Sequence, residues 1–236
     1  MSQELREARV RENQPVELVL VRHAEPDWDR AFETASDPGL TSFGNGQALR
    51  VAAYLKERPL AALYCSPLQR TRETAGVIAK EQDLTPQIVD GLEEIRVPVL
   101  QYASQTEVDA YFAAAARRPL KEHWAGYPGG ESFHEFHGRV TAAIESVLAH
   151  YGVHPQTKGE FTVWSAPARA HTLRIGIVGH GGTNSVLLTH LLGIPSVPWE
   201  WFRFETPLAA VSNIALRAIS GDGYVWSLQR FGWRAE

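Results

Sequence analysis

Two short apolar runs each end in a histidine, and this pairing limits the architecture of the chain more than any other feature. Leu18-Val-Leu-Val21 passes into Arg22-His23, and Ile175-Gly-Ile-Val178 passes into Gly179-His180. Aliphatic, β-branched runs without polar alternation suit strands buried on both faces, as in a parallel sheet. In open α/β sheets, ligands bind beyond the carboxyl ends of the strands. If the two strands are parallel neighbours, both imidazoles open onto one crevice.

The rest of the chain supplies partners for such a sheet. Residues 1–15 form a polar leader. Thr41 is placed to cap a helix carrying Ala48, Leu49, Val51, Ala52 and Leu55. Ala61–Cys65 reads as a second strand, and Ser66-Pro67 as the N-cap and first turn of a helix running to about Lys80. A third strand falls at Gln87–Val89. From about 96 to 151 the pattern is mainly helical, strongest around Tyr111–Arg117 and Phe133–His150, with a turn at Tyr127-Pro-Gly-Gly130 between them. This stretch reads as an insertion that roofs a site. Thr183–Leu192 follows the second histidine as an apolar helix. Val211–Leu216 and Tyr224–Gln229 read as strands joined through Gly221-Asp-Gly223. The segment 151–171 reads as an added hairpin at the sheet edge. Alternating strands and helices give a layered α/β fold.

Composition removes several classes of function. Net charge is −4, and no lysine or arginine run exceeds two residues, so the basic stripe of a nucleic-acid or anionic-membrane binder is missing. No apolar run approaches the roughly 20 residues of a membrane span. The first residues are charged throughout, unlike a signal peptide. A single cysteine, Cys65, forms no internal disulfide and no cysteine-rich metal site, and makes the reducing cytoplasm the expected compartment.

The chemistry gathers around the two histidines. Arg22 precedes His23. Arg70 lies early in the helix after the second strand, closer to the strand end than Arg72, which points the other way and reads as solvated. Two guanidiniums beside two imidazoles make an anion clamp, because arginine pairs with phosphate oxygens through charge-assisted hydrogen bonds. Gly181-Gly182 opens a helix, so its free amides can meet an oxyanion. An imidazole nitrogen is a competent nucleophile, and a covalent phosphohistidine would divide hydrolysis into two easier steps. A leaving alkoxide needs a proton. Glu93 and Glu94 are the carboxylates at hand; in an extended segment they point apart, so one of them serves.

The chain resembles the histidine phosphatase superfamily, the phosphoglycerate mutase-like family. The likeness rests on Leu20-Val-Arg-His-Ala-Glu25, Leu40-Thr-Ser-Phe-Gly44 with Gln47-Ala48, Cys65-Ser-Pro-Leu-Gln-Arg70 with Thr74-Ala75, Leu92-Glu-Glu-Ile95, Gly129-Gly-Glu-Ser132 and Val178-Gly-His-Gly-Gly182, in the family order. The resemblance implies one domain spanning 1–236. Its fold would be a three-layer α/β sandwich, a mainly parallel sheet flanked by helices with the insertion over the C-terminal strand ends. It implies His23 as the phosphorylated nucleophile, and Arg22, Arg70 and His180, with the Gly181 backbone, as holders of the phosphoryl oxygens. It implies Glu94 as the acid, a protonated His180, and neither metal nor cofactor. Pro26 and Asp29 depart from the serine or threonine and the asparagine common at those positions, and neither is assigned to phosphate.

The expected activity is metal-independent hydrolysis of a small phosphomonoester. Phosphoglycerate mutase-type transfer is the alternative, set back by the largely apolar Ile95-Arg-Val-Pro-Val-Leu100 after the acid. A non-catalytic phosphate-binding member of the family is the other. A cysteine phosphatase would need arginine where Thr71 stands. His134 and His137 have metal-ligand spacing on a helix but no evident third ligand. Trp124, Tyr127, Phe133, Phe136 and Pro198–Phe202 are candidate pocket walls. No oligomeric state follows from the sequence.

Overall fold

The computed structural model describes residues 16–28, 37–98, 105–168, 171–219 and 223–234. The polar leader, Asp29 and the turn residues Gly221 and Asp222 lie outside them. The strands are β1 (Val16–Arg22), β2 (Ala62–Cys65), β3 (Gln87–Ile88), β4 (His154–Lys158), β5 (Phe161–Ser165), β6 (Leu173–Gly179), β7 (Val211–Ile219) and β8 (Gly223–Trp233). They form one sheet in the order β3-β2-β6-β1-β7-β8-β5-β4. From β3 to β1 every pairing is parallel, and from β1 outward every pairing is antiparallel. The parallel half is the one read from the apolar runs. The segment at 151–171 supplies β4 and β5, an antiparallel hairpin that extends the far edge, as its position in the sequence suggested. All five residues of β4 are exposed.

Helices cover both faces. α1 (Ser42–Lys56) and α2 (Gln69–Gln82) lie on one side, α4 (Phe133–Ala149) and α5 (Gly181–Leu191) on the other. The period-2 alternation of β1 divides the core between them. Val16, Leu18 and Leu20 pack with Val140 and Ile144 of α4 and Val186 of α5. Val19 and Val21 pack with Val51 and Leu55 of α1 and Ile78 of α2. A strand fully buried on both faces has no polar side to show, which is why β1 reads as an unbroken apolar run. α3 (Gln105–Ala116) and a 3-10 turn (Leu120–Ala125) lie between β3 and α4, and a short α6 (Glu200–Arg203) follows α5. Among the described residues no helix is long and apolar enough to cross a membrane.

Local chemistry sets the helix starts. Thr41 caps α1 by accepting from the Gly44 amide at 2.8 Å. Ser132 and Glu135 close a capping box at the start of α4. The expectation for α2 was different: Leu68 is the N-cap, and the helix begins at Gln69 rather than at Pro67. Ser66 lies before the helix, and its hydroxyl bonds to His180.

One glycine in the sheet is there for space. A Cβ on Gly176 would come within 2.7 Å of Leu63 Cδ1 and 2.8 Å of Leu60 Cδ1. The apolar run of β6 thus carries a glycine where Leu60 and Leu63 fill the space of a side chain. Gly176→Val is expected to lower the unfolding free energy by about 1–3 kcal/mol through overpacking, read by denaturant titration, with the secondary structure retained.

Candidate active site

The register of two strands builds the centre. In the β1–β6 pair, Val21 lies opposite Val178 and Arg22 opposite Gly179. The next residues on the two strands are His23 and His180. Their ring centroids are 5.1 Å apart at 63°. Both are buried, 5% and 1% exposed. The crevice inferred from two strand ends is present.

Backbone bonds fix His23 on every side. Its amide donates to Gly179 O, its carbonyl accepts from the Ala209 amide, and the next amide, of Ala24, donates to Thr74 Oγ1. The ring is oriented by Nδ1, 2.8 Å from its neighbour's carbonyl, Ala24 O. A carbonyl only accepts, so Nδ1 carries the proton and Nε2 keeps its lone pair. Burial first, then Arg70 and Arg22, push His23 down to about 3, against the bond to Ala24. The imidazole is therefore neutral at physiological pH.

His180 is held from the other nitrogen. Its Nε2 is 2.9 Å from Ser66 Oγ, and Ser66 Oγ accepts from the Leu68 amide. When the hydroxyl donates to Nε2, the ring proton of His180 sits on Nδ1. Burial, followed by Arg70, His23 and Arg22, holds its pKa well below the ordinary histidine value. That direction runs against the expected protonated His180, with burial first and then two nearby guanidiniums opposing a third cation.

Arg70 enters from the first turn of α2 and is 5% exposed, while Arg72 is exposed. The Arg70 guanidinium lies 3.8 Å from Asp37 Oδ1 and 5.4 Å from the centre of the Trp28 ring. Arg22 anchors one nitrogen, Nη1, on the carbonyl of Thr206. Burial lowers both arginines, and the charge of Glu94 opposes it in both. Arg22 Nε, Arg70 Nε and Nη1, and His180 Nδ1 are buried without a protein hydrogen-bond partner. Leaving such donors unpaired costs about 1–3 kcal/mol each, and more for charged groups.

The two neighbouring glutamates separate as an extended segment requires. Glu94 Oε2 accepts from the Gly182 amide at 2.8 Å and Oε1 from the Ile95 amide at 3.0 Å. Glu93 turns away. It accepts from the Gly91 amide and pairs with Arg96 and Arg139. Those backbone bonds and the two arginines outweigh its burial, which acts the other way, and hold it below the usual carboxylate range. A Cβ on Gly182 would collide with Glu94 Oε1, so the second glycine after His180 makes room for the carboxylate. Gly182 donates to Glu94, and the amide of Gly181 opens the same helix as a donor for an oxyanion.

Of the candidate walls, Tyr127 feels the charge of Glu94: burial and then that charge raise its hydroxyl pKa. Phe133 and Phe136 are core residues at 0% exposure, not pocket walls. Trp124 stacks on His134 at 4.6 Å, while His137 turns toward His190, so these two histidines do different packing jobs. Ser66, Asp37, Thr206 and Arg139 were not singled out from the sequence. Ser66 stood inside a quoted motif but read as a cap.

Comparison with known proteins gives the same picture. The profile of the histidine phosphatase superfamily (branch 1) matches residues 18–157, more than half of the chain. Phosphoserine phosphatase 1 of Hydrogenobacter thermophilus is 34% identical over 135 residues, 56% of this chain and 64% of its own length. The probable phosphoglycerate mutase GpmB of Escherichia coli O1:K1 / APEC is 29% identical over 206 residues, 84% of each chain. Among solved structures, a mycobacterial glucosyl-3-phosphoglycerate phosphatase superposes with a TM-score of 0.70 at 23% identity, covering 93% of this chain and 100% of its own. A putative alpha-ribazole-5'-P phosphatase from Escherichia coli K-12 gives 0.68 at 21%, covering 93% and 98%. Those two likenesses establish the fold.

The neutral histidine pair has a measurable consequence. An unfolded imidazole titrates near about 6.5, whereas folded His23 titrates at about 3. Between those values unfolding takes up a proton, so stability falls as pH drops from about 6.5 toward 3, and His180 acts in the same direction. In phosphate-free buffer the thermal midpoint is expected to fall between pH 7 and 5, and His23→Asn to flatten that slope. An unchanged slope in the variant would contradict a neutral buried His23.

Proposed function

The chain belongs to the histidine phosphatase superfamily, and on that footing we propose that it hydrolyses small phosphomonoesters through a phosphohistidine on His23. The observation that carries this reading is the convergence of unpartnered donors. Arg22 Nε, Arg70 Nε and Nη1 and His180 Nδ1 are buried around a neutral imidazole. A phosphoryl group satisfies all of them at once.

The steps follow from the placement of the groups. Nε2 of His23 attacks phosphorus, forming the N–P bond as the ester P–O bond breaks. Arg22, Arg70, His180 and the Gly181 amide hold the phosphoryl oxygens and take up the charge developing on them. Glu94 gives its proton to the departing alcohol oxygen. Water then attacks the phosphohistidine and passes a proton to Glu94, the N–P bond breaks, and inorganic phosphate leaves. Glu93, neutralised by Arg96 and Arg139, takes no part. The names of the relatives point to phosphorylated small metabolites as the substrate class. The single buried thiol, Cys65, suits the reducing cytoplasm, where we place the enzyme.

A mutase reading has one observation in its favour, the 84% mutual coverage with a probable phosphoglycerate mutase. The two differ in the fate of the phosphohistidine, which goes to water in one and to a second substrate hydroxyl in the other.

Rapid quenching with a 32P-labelled phosphomonoester is expected to trap an acid-labile, alkali-stable label on the peptide containing His23. Steady turnover should release inorganic phosphate. His23→Ala should lose both the label and at least about a thousandfold in kcat, since no neighbouring side chain replaces the nucleophile. A labelled enzyme that transfers to 2- or 3-phosphoglycerate far faster than to water would favour the mutase. Phosphate binding without turnover would leave a binding protein.

A further inference from the structure

The Arg139 side chain lies outside the phosphate cradle, yet every one of its donors is committed. Nε donates to Glu131 Oε1 at 2.6 Å. Nη2 donates to Glu131 Oε2 at 2.7 Å and to Glu94 O at 2.9 Å. Nη1 donates to Gly91 O and Glu93 O, both at 2.9 Å. A guanidinium has five N–H groups, and all five are used. Arg139 and Glu131 are 17% and 7% exposed, so the pair is shielded from solvent.

These bonds join three parts of the molecule. Arg139 stands on α4. Its three carbonyl acceptors belong to the loop that carries Glu93 and Glu94. Glu131 lies just before Ser132, the N-cap of α4, and it also accepts from the Arg96 amide while its own amide donates to Arg96 O. Gly91, at φ +94, lets the loop lie against α4, where a Cβ would come within 3.1 Å of Arg139 O. Thr183 of α5 holds Glu93 O from the other side. The same guanidinium lies 3.5 Å from the Glu93 carboxylate, drawing that side chain away and leaving Glu94 to face the cradle.

We propose that Arg139, locked by Glu131, is a positioning residue: it sets which of two adjacent glutamates faces the leaving group and holds that one in register with Gly182. The inference rests on Glu94 being the acid. Arginine is the side chain suited to this work, because a planar fork fixes several acceptors in one arrangement. A lysine ammonium is a point charge with three donors and does not span them. A misplacement of about 1 Å at a catalytic group can cost about a hundredfold in rate.

The test compares an aryl ester, p-nitrophenyl phosphate, with an alkyl ester, β-glycerophosphate. A leaving alkoxide needs a proton far more than nitrophenolate does. Glu94→Gln is expected to lose about a hundredfold or more in kcat on the alkyl ester and less than about tenfold on the aryl ester. Arg139→Lys should show the same asymmetry, about ten- to a hundredfold on the alkyl ester with the aryl rate nearly kept. Placed in the Glu94→Gln background, it should add almost nothing, since residues acting through one another are not additive. If Arg139→Lys fails to fold, Glu131→Gln, nearly isosteric, carries the same comparison with a smaller asymmetry. Equal losses on both esters, or losses that multiply in the double variant, would overturn the inference while leaving Glu94 as the acid. Equal losses from Glu94→Gln alone would remove the acid assignment and this inference with it.

Discussion

The register between β1 and β6 is the constraint on which the rest of the structure depends. Seven consecutive parallel pairs, Val16 with Leu173 through Arg22 with Gly179, deliver His23 and His180 to the same level of the sheet. A shift by one residue would turn each side chain of the strand to the other face and part the rings. The register is secured by burial on both faces, since Leu18 and Leu20 serve one core and Val19 and Val21 the other. The hydrophobic packing of the two layers is thus also what aligns the site.

Electrostatics then explains the state of the groups so aligned. Burial first, and then two guanidiniums, disfavour further positive charge in the crevice and hold both imidazoles below the ordinary histidine value. That neutrality leaves Nε2 of His23 a lone pair and Nδ1 of His180 a proton, provided each ring is held at its other nitrogen. Ala24 O does this for the first and Ser66 for the second. The charge of Glu94 reaches both arginines, and that of Asp37 reaches Arg70. The cradle is therefore cationic but not unbalanced.

Much of this was legible in the sequence, for physical reasons. Apolar runs that stop at a histidine are strong signals because strand ends are where such sheets bind ligands. Helix phase separated Arg70 from Arg72, and the extended backbone separated Glu93 from Glu94 without saying which faced inward; the family likeness named Glu94, and in the structure Glu94 meets the Gly182 amide while Glu93 turns to Arg96 and Arg139. The parts that stayed hidden act across the fold. Ser66 looks like a cap because serine before proline commonly is one, and only the neighbouring strand shows that its hydroxyl is claimed by His180. Arg139 looks like a helix-surface charge until Glu131 and the loop carbonyls arrive from elsewhere in the chain. Phe133 and Phe136 looked like walls because aromatic residues in an insertion suggest a pocket, whereas the amphipathic face of α4 packs them into the core. A protonated His180 was expected as added positive charge against the phosphoryl group, whereas burial and then the arginines lower its pKa.

Among the described residues the hairpin that widens the sheet leaves β4 as its last strand, with one row of main-chain groups facing outward. Such a margin invites a second molecule to add its own strand. Pro155 removes one amide from that row, and Lys158 places a charge at its end. The protein can therefore carry a broad eight-stranded sheet and still discourage end-to-end stacking into fibres.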